Sequence, residues 1–299
     1  MQLQLPDKRT FAPDRPVIMG ILNVTPDSFS DGGRYAETQA AVAHGLEMAR
    51  QGARLIDVGG ESTRPGSQRV SAEEQIRRVV EVIGQLRGDL DAAAYGAEVV
   101  ISIDTTRSPV AEAALEAGAA ILNDVSAGGD DPAMLSLAAS SGAPICLMHM
   151  QGAPATMQKQ PSYDDVVSEV KRFLLDRAEL AIKAGVPRER IILDPGIGFG
   201  KTYEHNLALL NHLDVLVDAG YPVLLGASRK KFMRMICESG ETDEAGVLEP
   251  QQWVGATCAT TVLGVMQGVD IFRVHDVRAN RQAMDVAWAL KCQGGPEEK

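Results

Sequence analysis

The sequence predicts an α/β protein folded as a single (β/α)8 TIM barrel, and three observations support this prediction. Short apolar runs recur along the whole chain, segments with helical spacing separate them, and the apolar runs number eight. Alternating strands and helices form a parallel sheet with right-handed crossovers, and eight repeats close that sheet into a barrel. An open, doubly wound sheet is the alternative that shares this alternation.

The eight predicted strands are continuously apolar, which is typical of parallel strands covered on both faces. They span 16–24, 54–60, 99–105, 120–126, 144–150, 190–196, 222–228 and 271–276. The predicted helices span 38–51, 71–87, 109–117, 132–141, 164–185, 203–219, 251–268 and 278–291. We expect one domain over 1–299, with its core at about 16–292 and frayed ends, because no linker or low-complexity segment divides the chain.

The composition is that of a globular protein and disfavours several classes of function. Hydrophobic residues make up 45% of the 299-residue chain, which is enough for a large core. The formal net charge of −11 disfavours binding to nucleic acid or to anionic membranes. No apolar run approaches the roughly 18 residues that a membrane span requires, and the first ten residues contain no apolar signal segment. We therefore expect a cytoplasmic protein.

The spacing of residues argues against a cysteine-based metal or redox site and against a nucleotide-binding P-loop. The cysteines have no CxxC or Cys/His metal spacing and are interpreted as reduced structural thiols; they are Cys146, Cys237, Cys258 and Cys292. The segment DPGIGFGKT (194–202) has the glycines and the Lys-Thr ending of a phosphate loop, but it lacks the GxxxxGK spacing of a nucleotide P-loop. It is weak support for ATP binding.

Polar side chains collect at the ends of the predicted strands, where barrels carry their active sites. One such residue alone is often a helix cap or a hydrogen-bonded core group, but here all eight strands end this way. The residues are Asn23, Asp57, Glu61, Asp104, Asn123, Asp124, His149, Asp194, Ser228, Arg229, Lys230, Arg273 and His275. Asp57 lies within its strand and is interpreted as part of an interior polar network. For Asp124, a structural role and a role in ligand binding both remain open.

Two segments after the first and second strands predict long, mobile, functional loops, because they are rich in small and turn-forming residues. They are TPDSFSDGGRY (25–35) and ESTRPGSQR (61–69). Ordinary flexible connections are the alternative, since glycine and serine favour mobility whatever their purpose.

Two long segments, MGILNVTPDSFSDGG (19–33) and LIDVGGESTRPGS (55–67), resemble the hallmark motifs of the dihydropteroate synthase family. The resemblance continues through SIDT (102–105), ILNDVS (121–126), LMHMQG (147–152), LDPGIGFGK (193–201), GASRK (226–230) and FRVHD (272–276). It covers the chain from about Pro16 onward. It implies a pterin-binding barrel that joins 6-hydroxymethyl-7,8-dihydropterin diphosphate to p-aminobenzoate, releases pyrophosphate and uses Mg²⁺.

The resemblance also implies the residues that carry this reaction. The pterin-binding residues are Asp104, Asn123, Met148, Asp194, Phe199, Lys230 and Arg273. The p-aminobenzoate-binding residues are Phe29, Thr63, Arg64, Pro65, Ser228 and Lys230. The pyrophosphate-binding residues are Asn23, Arg64, Arg273 and His275. Asp104, Lys230 and Arg273 are implied to be catalytic, and Mg²⁺ is implied to bind Asn23, with Asp31 as a weaker ligand.

The chemistry of these residues suits that reaction. A carboxylate such as Asp194 accepts the paired N–H and NH₂ donors of a pterin edge, and the guanidinium of Arg273 can stack on the ring. The resemblance implies an SN1-like path in which Asp104 stabilises a pterin cation, and it implies a homodimer and inhibition by sulfonamides, which imitate p-aminobenzoate. Two alternatives stay open: a methyltetrahydrofolate-dependent methyltransferase, which shares the pterin pocket, and a pterin-binding paralogue without catalytic activity.

Overall fold

The computed structural model describes residues 1–25, 33–61, 69–152, 156–237 and 250–293. Two short strands, β1 (Leu3–Gln4) and β2 (Thr10–Phe11), form an antiparallel hairpin ahead of the barrel. The barrel strands follow as β3 (Val17–Asn23), β4 (Leu55–Gly59), β5 (Val100–Asp104), β6 (Ile121–Asp124), β7 (Ile145–Met148), β8 (Ile191–Asp194), β9 (Leu224–Leu225) and β10 (Ile271–Val274). All eight predicted strands are confirmed, whereas the hairpin was missed because two-residue strands show no periodicity.

The eight strands form one parallel ring. From β3 to β8 each strand pairs with the next, and β10 pairs with both β3 and β9. The ring closes between β8 and the start of β9, where Leu193 N donates to Pro222 O over 2.9 Å and a parallel bridge joins Leu193 to Val223. The predicted closed barrel is therefore confirmed, and the open, doubly wound alternative is wrong.

Side chains alternate between the inside and the outside of the ring, because successive strand residues point to opposite faces. One buried side chain from each strand fills the lower interior; these are Met19, Leu55, Val100, Ile121, Cys146, Ile192, Leu224 and Ile271. Leu3, Leu5 and Phe11 of the N-terminal hairpin pack against this apolar layer. Because the apolar layer lies early in each strand, the hairpin seals the N-terminal end of the barrel.

The outward side chains pack against the helices in a second, larger core. In β4, for example, Ile56 and Val58 point outward into this core, whereas Leu55 and Asp57 point inward. Each fully buried aliphatic side chain of this kind contributes about 1.5–3 kcal/mol to folding. The continuous hydrophobicity of the strands thus reflects two separate cores, one on each face.

Ten α-helices appear in the described ranges, and several of them depart from expectation. They are α1 (Gly33–Arg50), α2 (Ala72–Ala92), α3 (Ser108–Glu116), α4 (Ala133–Ser141), α5 (Val166–Lys183), α6 (Tyr203–Asn211), α7 (Asp214–Val217), α8 (Lys231–Cys237), α9 (Val254–Gln267) and α10 (Val277–Gln293). Helix α1 begins five residues before the predicted start at 38, so it includes the end of the segment predicted as a loop over 25–35. Helix α8 was not predicted.

The helix predicted over 203–219 is two helices, α6 and α7. His212 ends α6 in a non-helical conformation, with φ −131° and ψ 38°. The side chain of Gln267 from α9 stabilises the break, because its amide donates to Leu210 O and its carbonyl oxygen accepts from Leu213 N, both over 2.8 Å. This tertiary contact replaces helical hydrogen bonds and leaves no local sequence signal. In the described part of the chain, no helix combines the length and apolarity that a membrane span needs.

Candidate active site

Two residues beyond the apolar layer, the inward side of the strands becomes polar. Because every second residue of a strand faces the same way, counting two positions along each strand identifies the next interior layer. We call this set the polar layer; its members are Ile21, Asp57, Ser102, Asn123, Met148, Asp194, Gly226 and Arg273. The strand register pairs Asp57 with Ser102 and Met148 with Asp194. Four residues implied by the resemblance therefore share one layer.

A second step of two residues reaches the rim of the barrel. It leads to Asn23, Asp104, Ser228 and His275, all at or just beyond the C-terminal ends of their strands. We call these four residues the rim. The fold thus brings together eight of the residues implied by the resemblance, from seven different strands, at the end of the barrel where such folds carry chemistry.

The guanidinium of Arg273 joins the polar layer to the rim. Its Nε donates to Asp57 Oδ2 and its Nη2 donates to Asp104 Oδ2, each over 2.7 Å. Burial alone would lower the pKa of Arg273, but the carboxylates of Asp57 and Asp104 outweigh it and raise the pKa. The side chain of Arg273 keeps 20% of its surface exposed, whereas that of Asp57 is fully buried.

Asp104 is buried and lies near other carboxylates. Burial raises its pKa to about 7, because the charge of Arg273 offsets only part of the cost of ionisation and nearby carboxylates such as Asp57 add to it. Asp104 is therefore a carboxylate whose ionised form gains stability from any positive charge that develops beside it.

Asp57 belongs to an interior polar network, as its position within the strand predicts, and this network includes the site. Asn123 Nδ2 donates to Asp57 Oδ2 over 2.9 Å, so Arg273 and Asn123 share one carboxylate oxygen. The other oxygen, Oδ1, and the hydroxyl of Ser102 are buried without a hydrogen-bond partner. Asp57 therefore fixes the orientation of two site residues from below.

Asp194 presents a buried carboxylate in the polar layer, with 5% of its surface exposed. Its Oδ1 accepts from Gly196 N over 2.7 Å, whereas Oδ2 faces Gly226, where the missing side chain leaves space. Burial raises the pKa of Asp194 to about 6, although the Gly196 N–H and the charge of Lys230 act in the opposite direction. One oxygen is thus anchored and the other is available to a ligand.

Lys230 and Phe199 face each other across the mouth. Lys230 Nζ lies 3.9 Å from the centre of the Phe199 ring, which is a cation–π distance. Phe199 belongs to the segment after β8 and Lys230 to the segment after β9. The positive charge of Lys230 also acts to lower the pKa of Asp194, against the effect of burial.

Ser228 and His275 form a pair on the rim. His275 N donates to Ser228 Oγ over 3.2 Å, and Ser228 Oγ lies 3.0 Å from His275 Nδ1. Their neighbour Arg229 has a structural role instead, because its guanidinium forms a two-point ion pair with Asp276, the closer contact being 2.7 Å.

Two carboxylates at strand ends hold the surrounding loops. Asp124, which the sequence left open, accepts from Ser126 N, Ser126 Oγ and Gly128 N and so stabilises the turn after β6. Glu61 accepts from Val70 N and from the side chain of Gln75, which ties it to the start of α2. Both carboxylates are satisfied within the protein.

A buried ammonium in this region was missed by the sequence analysis. Lys201 is 3% exposed, and its Nζ lies 2.9 Å from Nδ1 of His149, which follows β7. Burial and the neighbouring Lys201 charge lower the pKa of His149 to about 3, so its imidazole is neutral. In the sequence Lys201 ends two of the segments considered, DPGIGFGKT (194–202) and LDPGIGFGK (193–201), but neither the P-loop pattern nor the resemblance gave it a role.

Five of the implied site residues lie outside the residues that the structure describes. They are Phe29, Asp31, Thr63, Arg64 and Pro65. Their roles toward p-aminobenzoate, pyrophosphate and Mg²⁺ stay predictions.

The chain matches known proteins over nearly its whole length. The family model described as pterin binding enzyme matches residues 19–275. A dihydropteroate synthase from Synechocystis sp. is 45% identical over 277 residues, which cover 92% of this chain and 90% of that protein.

Solved structures agree in fold and sequence. The Yersinia pestis dihydropteroate synthase with a sulfonamide drug has a TM-score of 0.86 and 41% identity, covering 98% of this chain and 100% of that one. The Xanthomonas albilineans enzyme in complex with 7,8-dihydropteroate has a TM-score of 0.82 and 41% identity, covering 99% and 100%. Together with the barrel and its polar mouth, these matches mean that the chain belongs to the dihydropteroate synthase family of pterin-binding transferases.

Proposed function

We propose that this chain condenses 6-hydroxymethyl-7,8-dihydropterin diphosphate with p-aminobenzoate to give 7,8-dihydropteroate and pyrophosphate, a step in folate biosynthesis. The observation that carries the proposal is the buried Asp194 carboxylate of the polar layer, which has Oδ1 anchored by Gly196 N and Oδ2 beside Gly226, a residue without a side chain. A carboxylate held in this way matches the adjacent N–H and NH₂ donors of a pterin. A neutral amide at this position would not accept both.

The pterin lies, in this proposal, on the polar layer. Asp194 and Asn123 bind its polar edge, while Met148 and Phe199 contact its faces. Lys230 donates to acceptor atoms of the ring, and Arg273 stacks on it from the exposed part of its guanidinium. The support for this arrangement is that four of these side chains share one layer, with Lys230 directly across from Phe199.

The bond that breaks joins the pterin methylene carbon to the diphosphate oxygen, and its electron pair leaves with pyrophosphate. The resulting cation is conjugated with the pterin ring. Asp104 is suited to stabilise it, because burial among other carboxylates makes its ionised form gain from an adjacent positive charge. The amine nitrogen of p-aminobenzoate then forms the new C–N bond and loses a proton. An arylamine is already neutral at physiological pH and needs no strong base.

The rim suits the anionic groups. His275 and Arg273 are proposed to bind pyrophosphate with Arg64, while Ser228 and Lys230 are proposed to bind p-aminobenzoate with Phe29, Thr63, Arg64 and Pro65. The position of Ser228 supports two adjacent sites, one for pyrophosphate and one for p-aminobenzoate. Its hydroxyl lies beside His275 of the pyrophosphate site, and the segment that begins at Ser228 leads to Lys230 of the p-aminobenzoate site. A sulfonamide would occupy the same p-aminobenzoate site.

Asn23 fits a role in holding Mg²⁺. Its Oδ1 and Asp104 Oδ2 lie 3.7 and 3.8 Å from the position that a Cβ on Gly59 would take, so these two oxygen atoms of the rim flank the same glycine. Oxygen ligands are what Mg²⁺ prefers. We propose that Asn23, with Asp31 as a second ligand, would hold the ion. When bound, Mg²⁺ supplies charge neutralisation for the departing pyrophosphate.

Pyrophosphate release is the direct test of the proposed function. With Mg²⁺ present, we expect release only when pterin diphosphate and p-aminobenzoate are both added, and a sulfonamide should compete with p-aminobenzoate alone. Omitting either substrate is the internal control. Pterin binding without release would instead favour the catalytically inactive paralogue, and turnover that requires a corrinoid protein would favour the methyltransferase.

We also propose that the chain forms a homodimer through α9 and α10. The support is an exposed apolar surface at i, i+4 spacing on both helices: Val262 and Met266 on α9, 38% and 50% exposed, and Val286 and Leu290 on α10, each 62% exposed. Lys291 Nζ donates to Val265 O over 2.9 Å, which keeps the ends of the two helices together. A cytoplasmic location stays a prediction from the sequence.

Sedimentation analysis tests the dimer. The wild-type chain is expected to sediment with twice the mass of one chain, and Val286→Glu with Leu290→Glu should shift it to the mass of one, because two buried carboxylates would face each other across the interface. Leu180→Glu on α5, where the residue is 43% exposed, is the matched control and should leave the mass unchanged. A monomeric wild-type chain at micromolar concentration would contradict the proposal.

A further inference from the structure

Lys201 has a complete set of hydrogen-bond partners although it is buried. An ammonium has three N–H donors, and Lys201 Nζ has three acceptors within reach: His149 Nδ1 at 2.9 Å, Phe199 O at 3.0 Å and His149 O at 3.3 Å. Because the His149 imidazole is neutral, its Nδ1 can accept with the proton on Nε2. All three acceptors are neutral, so no ion pair explains why a lysine lies here.

The three acceptors belong to the two segments that carry the apolar walls of the proposed pterin site. His149 directly follows Met148, the last residue of β7, and Phe199 lies in the segment after β8. Lys201 therefore links the end of one strand to the loop of the next, at the level of the polar layer. His149 N also donates to Asp194 O over 3.0 Å, so the same segment supports the proposed pterin acceptor.

Ring packing, a hydrogen bond and two glycines constrain the surroundings of this link. The His149 ring packs edge-on against Phe173, with ring centres 4.9 Å apart, and Tyr163 OH donates to Gly200 O over 2.7 Å. Gly196 and Gly200 have φ of +65° and +60°, and a side chain on either would collide with the backbone of the β7 segment. The two segments thus approach as closely as glycine allows. Gln158 Nε2 and Tyr163 OH of the segment after β7 donate to Gly198 O and Gly200 O, and the ammonium of Lys201 donates in the opposite direction.

We propose that Lys201 is a positioning residue that fixes the distance between Met148 and Phe199, and with it the fit of the pterin ring. This inference rests on the proposed function, because it assigns the two walls to pterin. Lys201 acts through its neighbours and does not touch the reacting atoms. A buried ammonium is costly, and its place in the fold is explained by the geometry it imposes on the two segments.

The electrostatics are consistent with this role. Burial lowers the pKa of Lys201 to about 7, although the charge of Asp194 acts in the opposite direction. Asp194 therefore helps to keep the ammonium charged, and the ammonium in turn favours the ionised carboxylate. The positioning residue and the proposed pterin acceptor support each other in their charged forms.

Lys201→Met tests the inference, because methionine fills similar space and donates nothing. We expect its affinity for pterin diphosphate, titrated without p-aminobenzoate, to fall about tenfold, which corresponds to about 1.4 kcal/mol. The KM for p-aminobenzoate should stay within about twofold of the wild-type value, since that site lies on the rim; twofold is well below one kcal/mol. Lys201→Arg, which keeps the charge and the donors, should recover part of the pterin affinity.

Arg87→Met is the matched control. Arg87 also donates to a backbone carbonyl, Val99 O, over 3.1 Å, but at the opposite end of the barrel, so pterin affinity should be unchanged. If Lys201→Met does not fold, His149→Phe keeps the ring packing and removes one acceptor, and it should weaken pterin binding selectively.

Three outcomes would overturn the inference: pterin affinity within about twofold of wild type in the folded variant, equal losses for both substrates, or no recovery with arginine. Failure of the wild-type chain to bind pterin would instead count against the proposed function.

Discussion

Replacing Asp194 by Asn is expected to weaken pterin binding by about 2 to 5 kcal/mol, or roughly 30-fold to several thousand-fold. Asp194 Oδ1 is committed to Gly196 N, so an amide would keep its oxygen there and turn its NH₂ group toward the mouth. That group would meet the N–H donors of the pterin and leave them unmatched. Calorimetric titration with pterin diphosphate measures the loss.

A second measurement separates this loss from a loss of fold. Burial raises the pKa of Asp194 from 3.8 to about 6, so the folded state holds the extra proton between these values and wild-type stability falls as pH rises through them. Asn at this position removes that dependence and should not destabilise the chain at pH 7. Asp285→Asn, on an ion-paired surface carboxylate of α10, is the control and should leave pterin affinity intact. Near wild-type affinity in Asp194→Asn would refute the assignment.

Replacing Arg273 by Met is expected to cost about 3 to 5 kcal/mol of stability at pH 8, because it leaves the buried carboxylates of Asp57 and Asp104 without their shared cation. The loss should shrink toward pH 5. Burial already raises the pKa of Asp104 to about 7, and removing the guanidinium raises it further, so protonation relieves the repulsion as pH falls. Denaturant unfolding at both pH values tests this expectation.

Replacing Arg273, alone or together with Asp57, should affect the activity and the stability of the protein differently. The rate of condensation by Arg273→Met should fall on the order of 100-fold or more, since a preorganised charge at the mouth is lost. Adding Asp57→Asn should recover part of the stability, because it removes one of the uncompensated charges, without recovering the rate. A double variant with restored activity would mean that Arg273 serves only to neutralise Asp57.

The fold could be predicted from the sequence because each strand carries its own signal. Eight apolar runs with helical segments between them predict a barrel independently of the conformation of the loops. The features that could not be predicted depend on contacts between residues far apart in the sequence. The break between α6 and α7 depends on Gln267 from a distant helix, and the N-terminal hairpin is stabilised by the barrel interior.

The site was predictable in part for the same reason. The inward register of the strands follows from the spacing of two, and Asn123, Asp194 and Arg273 could be found by it. Asp57 was separated from them because its neighbours in sequence look like strand interior, although it is bonded to both Asn123 and Arg273. Lys201 was missed because its three acceptors come from two segments that meet only in the folded barrel.

The hairpin that seals the N-terminal end of the barrel has a consequence for kinetics. Within the residues that the structure describes, Leu3, Leu5 and Phe11 close the N-terminal end of the barrel, so substrates should reach the polar layer from the C-terminal end and products should leave by the same end. A pterin on the polar layer would lie beneath a p-aminobenzoate on the rim, and the deeper ligand has to arrive first. The chain should therefore follow a compulsory-order mechanism, in which p-aminobenzoate that binds first blocks the access of pterin diphosphate to the polar layer.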